Sequence, residues 1–178
     1  SLLSRFQDVF LVEKTQEDLE AVSADLCTVL KLALTDFDAM REREGERLCR
    51  DVLDRAATIE GLTKQVADRA PGIVADYRAR LWSKMSEVLQ NTQLDESRIL
   101  TEAAIYADKV AVDEELVRLH SHLSQLRHML SEGGAVGRKL DFLIQEFNRE
   151  ANTIGSKCND IETAGYVVDI KAEIEKIR

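Results

Sequence analysis

The chain has 178 residues, of which 44% are hydrophobic and only 5% aromatic, and it contains 8 glycines and a single proline. Leu, Ala, Glu, Arg and Lys dominate, which is typical of long packed helices rather than of sheets, so we expect an all-α protein. The formal net charge of −9 excludes a general electrostatic attraction to nucleic acid or to an anionic membrane, so any phosphate-binding surface must be a local basic patch.

Two further classes of protein are disfavoured by the sequence. No apolar run approaches the roughly 20 residues of a membrane span, and the first residues lack the plan of a signal peptide, so we expect a cytoplasmic protein with no membrane partner. The three cysteines, Cys27, Cys49 and Cys158, are widely spaced and include no CxxC pair. They are interpreted as free thiols rather than as a disulfide framework or a structural zinc site.

The first half of the chain predicts helix almost throughout. Residues 1–14 are too apolar for a solvated tail and are expected to pack on something. A helix is expected to start at Thr15, with a capping-box-like acid three residues later. No strong breaker intervenes before Pro71, so we predict one very long helix, or two nearly collinear ones, that acts as a helical hairpin or oligomer arm. Its apolar stripe is Leu19, Val22, Leu26, Val29, Ala33, Phe37, Met40, Leu48, Val52, Ala56, Ile59, Leu62 and Val66.

Pro71 suits the first turn of a second helix. The predicted buried side of that helix is Ile73, Tyr77, Leu81, Trp82, Met85 and Leu89. A short break at Asn91–Leu94 gives a loose domain boundary, so we expect a helical arm over residues 1–92 and a C-terminal helical domain over residues 93–178. The next helix is expected to begin at Asp95 and to bury Ile99, Leu100, Ala103 and Tyr106.

A helix capped by Asp113 is expected to end at the turn Ser131–Gly134, the clearest turn in the sequence. Its seam, with alternating four and three spacing, is Val112, Leu116, Leu119, Leu123, Leu126 and Leu130. Glu115 and His122 lie on one flank of this seam, with Arg118 near the same edge. Because the turn is so short, the following helix should run antiparallel to this one.

That following helix is the stretch Gly137–Lys157. Its predicted buried stripe is Leu140, Leu143, Phe147, Ala151 and Ile154. Its other side is unusually rich in groups that can bind metal, phosphate or a polar ligand, namely Asp141, Gln145, Glu146, Asn148, Arg149, Glu150 and Asn152, followed by Gly155, Ser156 and Lys157. The last predicted helix follows Asp160 and buries Val167, Ile170, Ile174 and Ile177.

The antiparallel arrangement should bring Glu146 and Glu150 toward the level of Glu115 and His122. Glu146 and Glu150 are like charges one turn apart, which is unfavourable unless a cation lies between them. That cation could be Mg²⁺ or Mn²⁺, with an added imidazole favouring the transition metal. The simpler alternative is an ion pair with Arg149 or Lys157. His122 could be a metal ligand or a proton carrier, whereas His120 and His128 are expected to cover helix surface.

The charges of the Gly137–Lys157 stretch do not by themselves decide whether it binds phosphate. In the Gly137–Lys157 stretch, Arg138, Lys139, Arg149 and Lys157 outnumber the three acidic residues. That small local excess is compatible with a phosphate-binding surface, but it does not decide the question.

Three stretches, Val112–Leu123, Val136–Lys157 and Ile170–Arg178, closely resemble the C-terminal region of the bacterial YicC/YloC family. The resemblance is weaker before Ser97. The family was long described as stress-induced proteins and is now regarded as endoribonucleases. The resemblance implies metal-assisted cleavage of RNA by a homo-oligomer, with a hexamer expected. It also implies a further N-terminal region and a short C-terminal tail beyond the present sequence.

These expectations combine into one hypothesis with two alternatives. Glu146 and Glu150 would form the catalytic group with Glu115 and His122, which come from the antiparallel neighbour or from another subunit. Within this group Glu146, Glu150 and His122 would hold Mg²⁺ or Mn²⁺. The RNA-binding residues would be Arg118, Arg138, Lys139, Arg149, Asn152 and Lys157. In the second chemistry, His122 acts as a metal-free general acid or base while the RNA 2′-hydroxyl attacks its own phosphate. The non-enzyme alternative is a helical scaffold or RNA-binding adaptor.

Overall fold

A computed structural model of the chain describes residues 18–89 and 96–178. Helix is the only regular secondary structure among the described residues, which confirms the all-α prediction. These are α1 (Leu19–Leu89), α2 (Glu96–Val110), α3 (Asp113–Glu132), α4 (Gly137–Lys157) and α5 (Ile161–Ile177). The predicted apolar segment 1–14, the start at Thr15, the break at Asn91–Leu94 and the start at Asp95 lie outside the described residues.

The chain divides into two compact units, Ser1–Glu46 and Arg47–Arg178, and α1 contributes residues to both. In the described part of the first unit the predicted stripe is exposed instead of packed. The large exposed apolar side chains there are Leu19, Val22, Leu26, Val29, Leu30, Leu32, Leu34, Phe37 and Met40. We refer to those that follow helical spacing along one side, namely Leu19, Val22, Leu26, Val29, Phe37 and Met40, as the apolar face of the first unit.

At its described start, α1 is capped by Asp18. Oδ1 of Asp18 accepts hydrogen bonds from the backbone N–H groups of Glu20, at 3.0 Å, and Ala21, at 3.3 Å. These bonds satisfy two of the donors that every helix leaves free at its N-terminus.

The prediction that Pro71 begins a second helix is wrong, because Pro71 lies inside α1. Proline removes a backbone donor and its ring crowds the preceding turn, which costs about 3 kcal/mol in a helix interior. Here the segments on either side of the proline are both held by packing, since Val66 and Ile73 are buried. Arg69 and Asp76 also pair across it, with Nη2 3.2 Å from Oδ2. Tertiary contacts therefore keep the helix continuous.

Trp82 was predicted in the core but is 41% exposed. It follows the buried Ile73 by nine residues, which places it about half a turn away on the helix circumference. Tyr77, Leu81 and Met85 are half-buried. The side of α1 that packs here is therefore the side that carries Ile73. Trp82 lies on the opposite side of the helix.

The core of the second unit is built by the later part of α1 together with α3, α4 and α5. Its buried apolar members are Ala56, Ile59, Val66, Val112, Leu116, Leu119, Leu123, Leu126, Leu143, Ile144, Phe147, Ala151, Ile154, Val167, Ile170 and Ile174. The seams predicted for α3, α4 and α5 are confirmed, with Leu130, Leu140 and Ile177 half-buried at their ends. The division into 1–92 and 93–178 stays a prediction.

Helix α2 departs from its prediction at one position. Ile99 and Ala103 are buried as expected, whereas Leu100, next to Ile99, is exposed. Tyr106 is half-buried and its ring stacks on that of Tyr77, with centroids 3.7 Å apart. The stacked rings join α2 to α1.

The predicted turn joins α3 and α4. Gly133 and Gly134 have φ values of 70° and 82°, a left-handed conformation that residues with a Cβ rarely adopt. The end of α4 then lies beside the start of α3, because Nζ of Lys157 donates to the Ala111 carbonyl at 2.9 Å. This contact confirms the antiparallel arrangement.

The starts of α3 and α5 differ in how they are capped. Asp113 was expected to cap α3, but it is the first helical residue, and Val112 occupies the cap position with no side-chain cap bond. The acidic first turn still interacts favourably with the helix dipole. At α5, Asp160 is a true N-cap that accepts from the Thr163 N–H at 3.0 Å.

Candidate metal site

Two neighbouring helices bring an imidazole and two carboxylates together. His122 lies on α3, while Glu146 and Glu150 lie one turn apart on α4, on the side that faces α3. One ligand atom from each of the three residues lies within 4.8 Å of the other two. The structure thus assembles the three residues that the sequence analysis assigned to a metal, and we call them the acidic–imidazole cluster.

The carboxylates of this cluster are poorly hydrated. Glu150 is 2% exposed, and Glu146 is half-buried. Two like charges this close, and this far from water, are costly unless cations compensate them. In the described chain the compensation comes from two arginines, with Nη1 of Arg118 3.7 Å from Glu150 Oε1 and Nη1 of Arg149 3.3 Å from Glu146 Oε2.

The imidazole of His122 is fixed by packing. Its ring meets the edge of the fully buried Phe147 ring in a T-shaped contact, with centroids 6.1 Å apart and planes at 82°. Its Nδ1 atom is buried and has no hydrogen-bond partner among the described residues. A buried nitrogen without a partner is unfavourable, so this position suits a bound ligand, an ion or a transferred proton.

The chemistry of this donor set fits a divalent ion. Carboxylate oxygens suit Mg²⁺ and Mn²⁺, and one imidazole nitrogen favours Mn²⁺ over Mg²⁺. The orphaned nitrogen of His122 and the buried carboxylate of Glu150 are the features that such an ion would satisfy. His122, Glu146 and Glu150 are therefore able to hold it.

Glu115 lies outside this cluster. Its Oε1 accepts a hydrogen bond of 2.8 Å from Nζ of Lys157, and its Oε2 is buried without a hydrogen-bond partner in the described chain. Burial works to raise the pKa of Glu115, but the Lys157 hydrogen bond, a backbone hydrogen bond and the charges of Lys157 and Arg118 together hold it below its ordinary value. Glu115 is thus an ionised carboxylate paired with Lys157.

The remaining basic and amide residues are spread along the surface of α4. Arg149 and Asn152 are exposed close to Glu150 in sequence. Arg138 and Lys139 are exposed in the first turn of α4, about 17 Å along the helix from Glu150 at 1.5 Å per residue. The structure therefore places Arg149 beside the cluster. Asn152 follows Glu150 by two residues and so lies on a different side of α4, and Arg138 and Lys139 lie at the far end of the helix.

The other two histidines cover helix surface, as predicted. His120 is exposed with Nδ1 3.5 Å from Glu60 Oε1, and His128 is exposed with Nε2 3.4 Å from Glu132 Oε1. Neither belongs to the cluster.

Sequence reasoning missed two features near the site. One is the ring of Phe147, which supports His122 and was interpreted only as core. The other is a cavity of about 250 Å³ on another side of α4, lined by Asp141, Ile144, Gln145, Asn148 and Arg178. The signal for this cavity was present in the polar face of α4, where Asp141, Gln145 and Asn148 recur at helical spacing.

No helix in the part of the chain that the structure describes is long and apolar enough to cross a membrane. Fold and site together define a helical protein in which two antiparallel helices present paired carboxylates and an imidazole suited to a divalent ion.

The chain belongs to the YicC-like endoribonuclease family. Residues 66–178 match the family model described as "Endoribonuclease YicC-like, C-terminal", and residues 1–50 match "Endoribonuclease YicC-like, N-terminal region". The resemblance found in the sequence is thereby confirmed, and part of the family's N-terminal region lies within this chain.

Two relatives align with nearly the whole chain. A "Probable endoribonuclease YicC" of Clostridioides difficile (strain 630) is 39% identical over 99% of this chain and 60% of its own length. A protein of the same description from Haemophilus influenzae is 40% identical over 94% of this chain and 58% of its own length. The chain therefore spans about three-fifths of the length of these relatives.

Proposed function

We propose that the chain is part of a metal-dependent endoribonuclease that cleaves RNA phosphodiester bonds in the cytoplasm and acts as a homo-oligomer. The observation that carries the proposal is the meeting of His122, Glu146 and Glu150 within 4.8 Å, in a chain whose relatives are named probable endoribonucleases.

Some residues of the chain would bind the metal, and others would bind the substrate. Glu146, Glu150 and His122 would hold Mg²⁺ or Mn²⁺. A divalent ion supplies a water of lowered pKa and stabilises negative charge on a phosphate. The low exposure of Glu150 strengthens each electrostatic interaction in the cluster, because little water remains to screen it.

The basic residues would bind the RNA backbone. Arg118 and Arg149 lie beside the cluster and would contact the phosphate that is cleaved. Arg138 and Lys139, in the first turn of α4, would contact phosphates farther along the strand. Asn152 would reach a 2′-hydroxyl or a base edge, which are the groups that distinguish RNA.

Glu115 and Lys157 would support the site indirectly. They pair with each other across the α3–α4 contact, so we propose a positioning role for them in place of the catalytic role expected for Glu115 and the RNA-binding role expected for Lys157. By joining the start of α3 to the end of α4, they would hold His122 and Glu150 at their present separation.

The homo-oligomer is supported by the apolar face of the first unit. Large apolar side chains exposed at helical spacing mark a surface that associates with another helix, and a hexamer is the assembly that we propose. Leu26→Glu would place a charge on this face and should yield smaller particles in light scattering. Unchanged particle mass for Leu26→Glu and Phe37→Glu would refute assembly through this face.

The catalytic proposal is tested by single substitutions in the full-length protein with a structured RNA. Glu146→Gln, Glu150→Gln and His122→Ala should each lower the cleavage rate by at least about 100-fold, because each removes a group that the reaction needs. Glu102→Gln, an exposed glutamate of α2, is the matched control and should cleave at the wild-type rate. Undiminished cleavage by all three cluster variants would remove the proposal.

The buried, unpartnered Nδ1 of His122 supports one alternative reaction mechanism. As a general acid or base, His122 would let the RNA 2′-hydroxyl attack its own phosphate without a metal. Cleavage that survives EDTA and leaves a 2′,3′-cyclic phosphate would identify this route. Cleavage that EDTA abolishes, without a cyclic phosphate, supports the metal route.

A helical scaffold or RNA-binding adaptor is distinguished by turnover. It would bind RNA with a steep salt dependence and leave the RNA intact in the presence of Mg²⁺ or Mn²⁺. That result with the full-length protein would replace the enzyme proposal.

A further inference from the structure

Arg118 stands between two carboxylates that differ in exposure. It lies on α3, with a side chain that is 40% exposed. One nitrogen, Nη2, hydrogen-bonds to Oε1 of the exposed Glu114. The other, Nη1, is 3.7 Å from Oε1 of Glu150, which is 2% exposed and belongs to the acidic–imidazole cluster. Arg118 therefore links the buried cluster to the surface.

A divalent ion and Arg118 would compete for the same carboxylate. Without metal, the guanidinium compensates the buried charge of Glu150. With metal, the two carboxylates of the cluster balance the charge of the ion, and the guanidinium beside it is then repelled at short range in a poorly hydrated place. Its other partner, Glu114, and its exposed fraction give the side chain a direction in which to withdraw.

We infer that Arg118 is an internal counter-ion of the acidic–imidazole cluster, which a divalent cation displaces from Glu150 and which thereby becomes available to bind an RNA phosphate. The inference rests on the proposed metal-dependent function. A planar guanidinium is well suited to phosphate, to which it can donate two parallel hydrogen bonds. Metal binding and phosphate binding would thus be coupled through one side chain.

The same helix offers a matched control. Arg127 is 38% exposed and is also paired with a glutamate, with Nη2 2.6 Å from Oε2 of Glu60. Its carboxylate partner lies on α1 and does not belong to the cluster. Removing either arginine deletes one positive charge from α3, so a difference between the two variants reports the contact with Glu150.

The experiment measures Mn²⁺ affinity by calorimetry in the full-length protein without RNA. Arg118→Gln should bind Mn²⁺ roughly tenfold more tightly than the wild type, because the competing cation is gone. Arg127→Gln should bind with wild-type affinity. Glu114→Gln should weaken Mn²⁺ binding several-fold, because Arg118 then loses its alternative partner and holds Glu150 more firmly.

A second measurement tests the coupling to RNA. Mn²⁺ should increase the affinity of the wild type for a 5′-phosphorylated ribonucleotide, which offers a phosphate and a 2′-hydroxyl but no phosphodiester bond that could be cleaved. In Arg118→Gln that increase should fall to less than half of its wild-type factor. Because this comparison is made with and without Mn²⁺ in each variant, a general loss of positive charge does not imitate it.

The possible outcomes distinguish a failure of the Arg118 inference from a failure of the proposed metal-dependent function. Mn²⁺ affinity that is equal or weaker in Arg118→Gln, with Arg127→Gln unchanged, overturns the inference alone. Absence of Mn²⁺ binding in both wild type and Arg118→Gln overturns both proposals. If Arg118→Gln does not fold, the surface variant Glu114→Gln tests the inference instead. Unchanged or tighter Mn²⁺ binding by Glu114→Gln overturns it.

Discussion

The ammonium group of Lys157 donates a 2.8 Å hydrogen bond to Oε1 of Glu115, a carboxylate that is 4% exposed. The same ammonium donates to the carbonyl of Ala111 at 2.9 Å. The last residue of α4 is thereby fastened to the first turn of α3. Since His122 lies on one of these helices and Glu150 on the other, this contact helps to fix the register in which the cluster forms.

Replacing Lys157 should destabilise the fold. Lys157→Met leaves the Glu115 carboxylate buried without its ammonium partner, and the free energy of unfolding should fall by about 3 kcal/mol. Urea unfolding at neutral pH measures the loss. Lys139→Met, at an exposed lysine in the first turn of the same helix, is the control and should change stability by less than about 0.5 kcal/mol. Equal effects of the two substitutions would show that the Glu115 pair contributes nothing specific.

The same pair predicts a dependence of stability on pH. The pKa of Glu115 is lower in the folded chain than its ordinary value, which is about 4.3 in an unfolded peptide. Its stabilising contribution is therefore complete above that unfolded pKa and is lost as the pH falls through the folded pKa. The unfolding free energy of wild type should exceed that of Glu115→Gln by more at about pH 7 than at about pH 3. A difference that stays constant over this interval would contradict the prediction.

The sequence predicted the helices of the second unit well because their apolar spacing matches packing within the chain. Leu119, Leu123 and Leu126 recur at the four- and three-residue intervals of an apolar helix side, and they are buried. Val22, Leu26 and Val29 have the same intervals, yet these residues are exposed. Periodicity shows that a helix has an apolar side, but it does not show what covers that side.

The site was predictable to the extent that helix geometry determines it. The glycine turn at Gly133–Gly134 fixes α3 and α4 as neighbours, and this placed His122 opposite Glu146 and Glu150. Helix geometry does not predict which side chains form ion pairs with one another. Lys157 pairs with Glu115 because of side-chain reach across the helix contact, which residue spacing along one helix does not encode.

Phe147 joins the core to the site, and its removal should affect both. Phe147→Ala should lower the unfolding free energy by about 4 kcal/mol, because it empties a fully buried position. Phe142→Ala, at a 64% exposed position of the same helix, should lower it by less than about 1 kcal/mol. Chemical unfolding of the two variants provides the comparison. A small effect at Phe147 would mean that the core collapses around the missing ring.

The start of α5 depends on Asp160. Its Oδ2 accepts from the backbone N–H and the hydroxyl of Thr163 at 3.0 and 2.9 Å, and its Oδ1 accepts from Nη2 of Arg69 at 3.2 Å. Asp160→Ala removes all three bonds and should cost about 2 kcal/mol. Asp160→Asn keeps an oxygen that can cap the helix and should cost less. Thermal unfolding of both variants checks the order, and a reversed order would indicate that the cap is not what Asp160 contributes.

Pro71 tests whether tertiary packing alone keeps α1 continuous. Pro71→Ala restores a backbone donor and relieves the crowding of the proline ring, so the unfolding free energy should rise by about 2 kcal/mol. Gly61→Ala, where an added Cβ would meet nothing within 4 Å, should raise it by about 1 kcal/mol through helix propensity alone. A gain at Gly61 together with a loss at Pro71 would mean that the buried positions of Val66 and Ile73 require the backbone geometry that proline imposes. Both substitutions are compared with wild type by urea unfolding, and retention of the wild-type m-value shows that the same surface is exposed in each case.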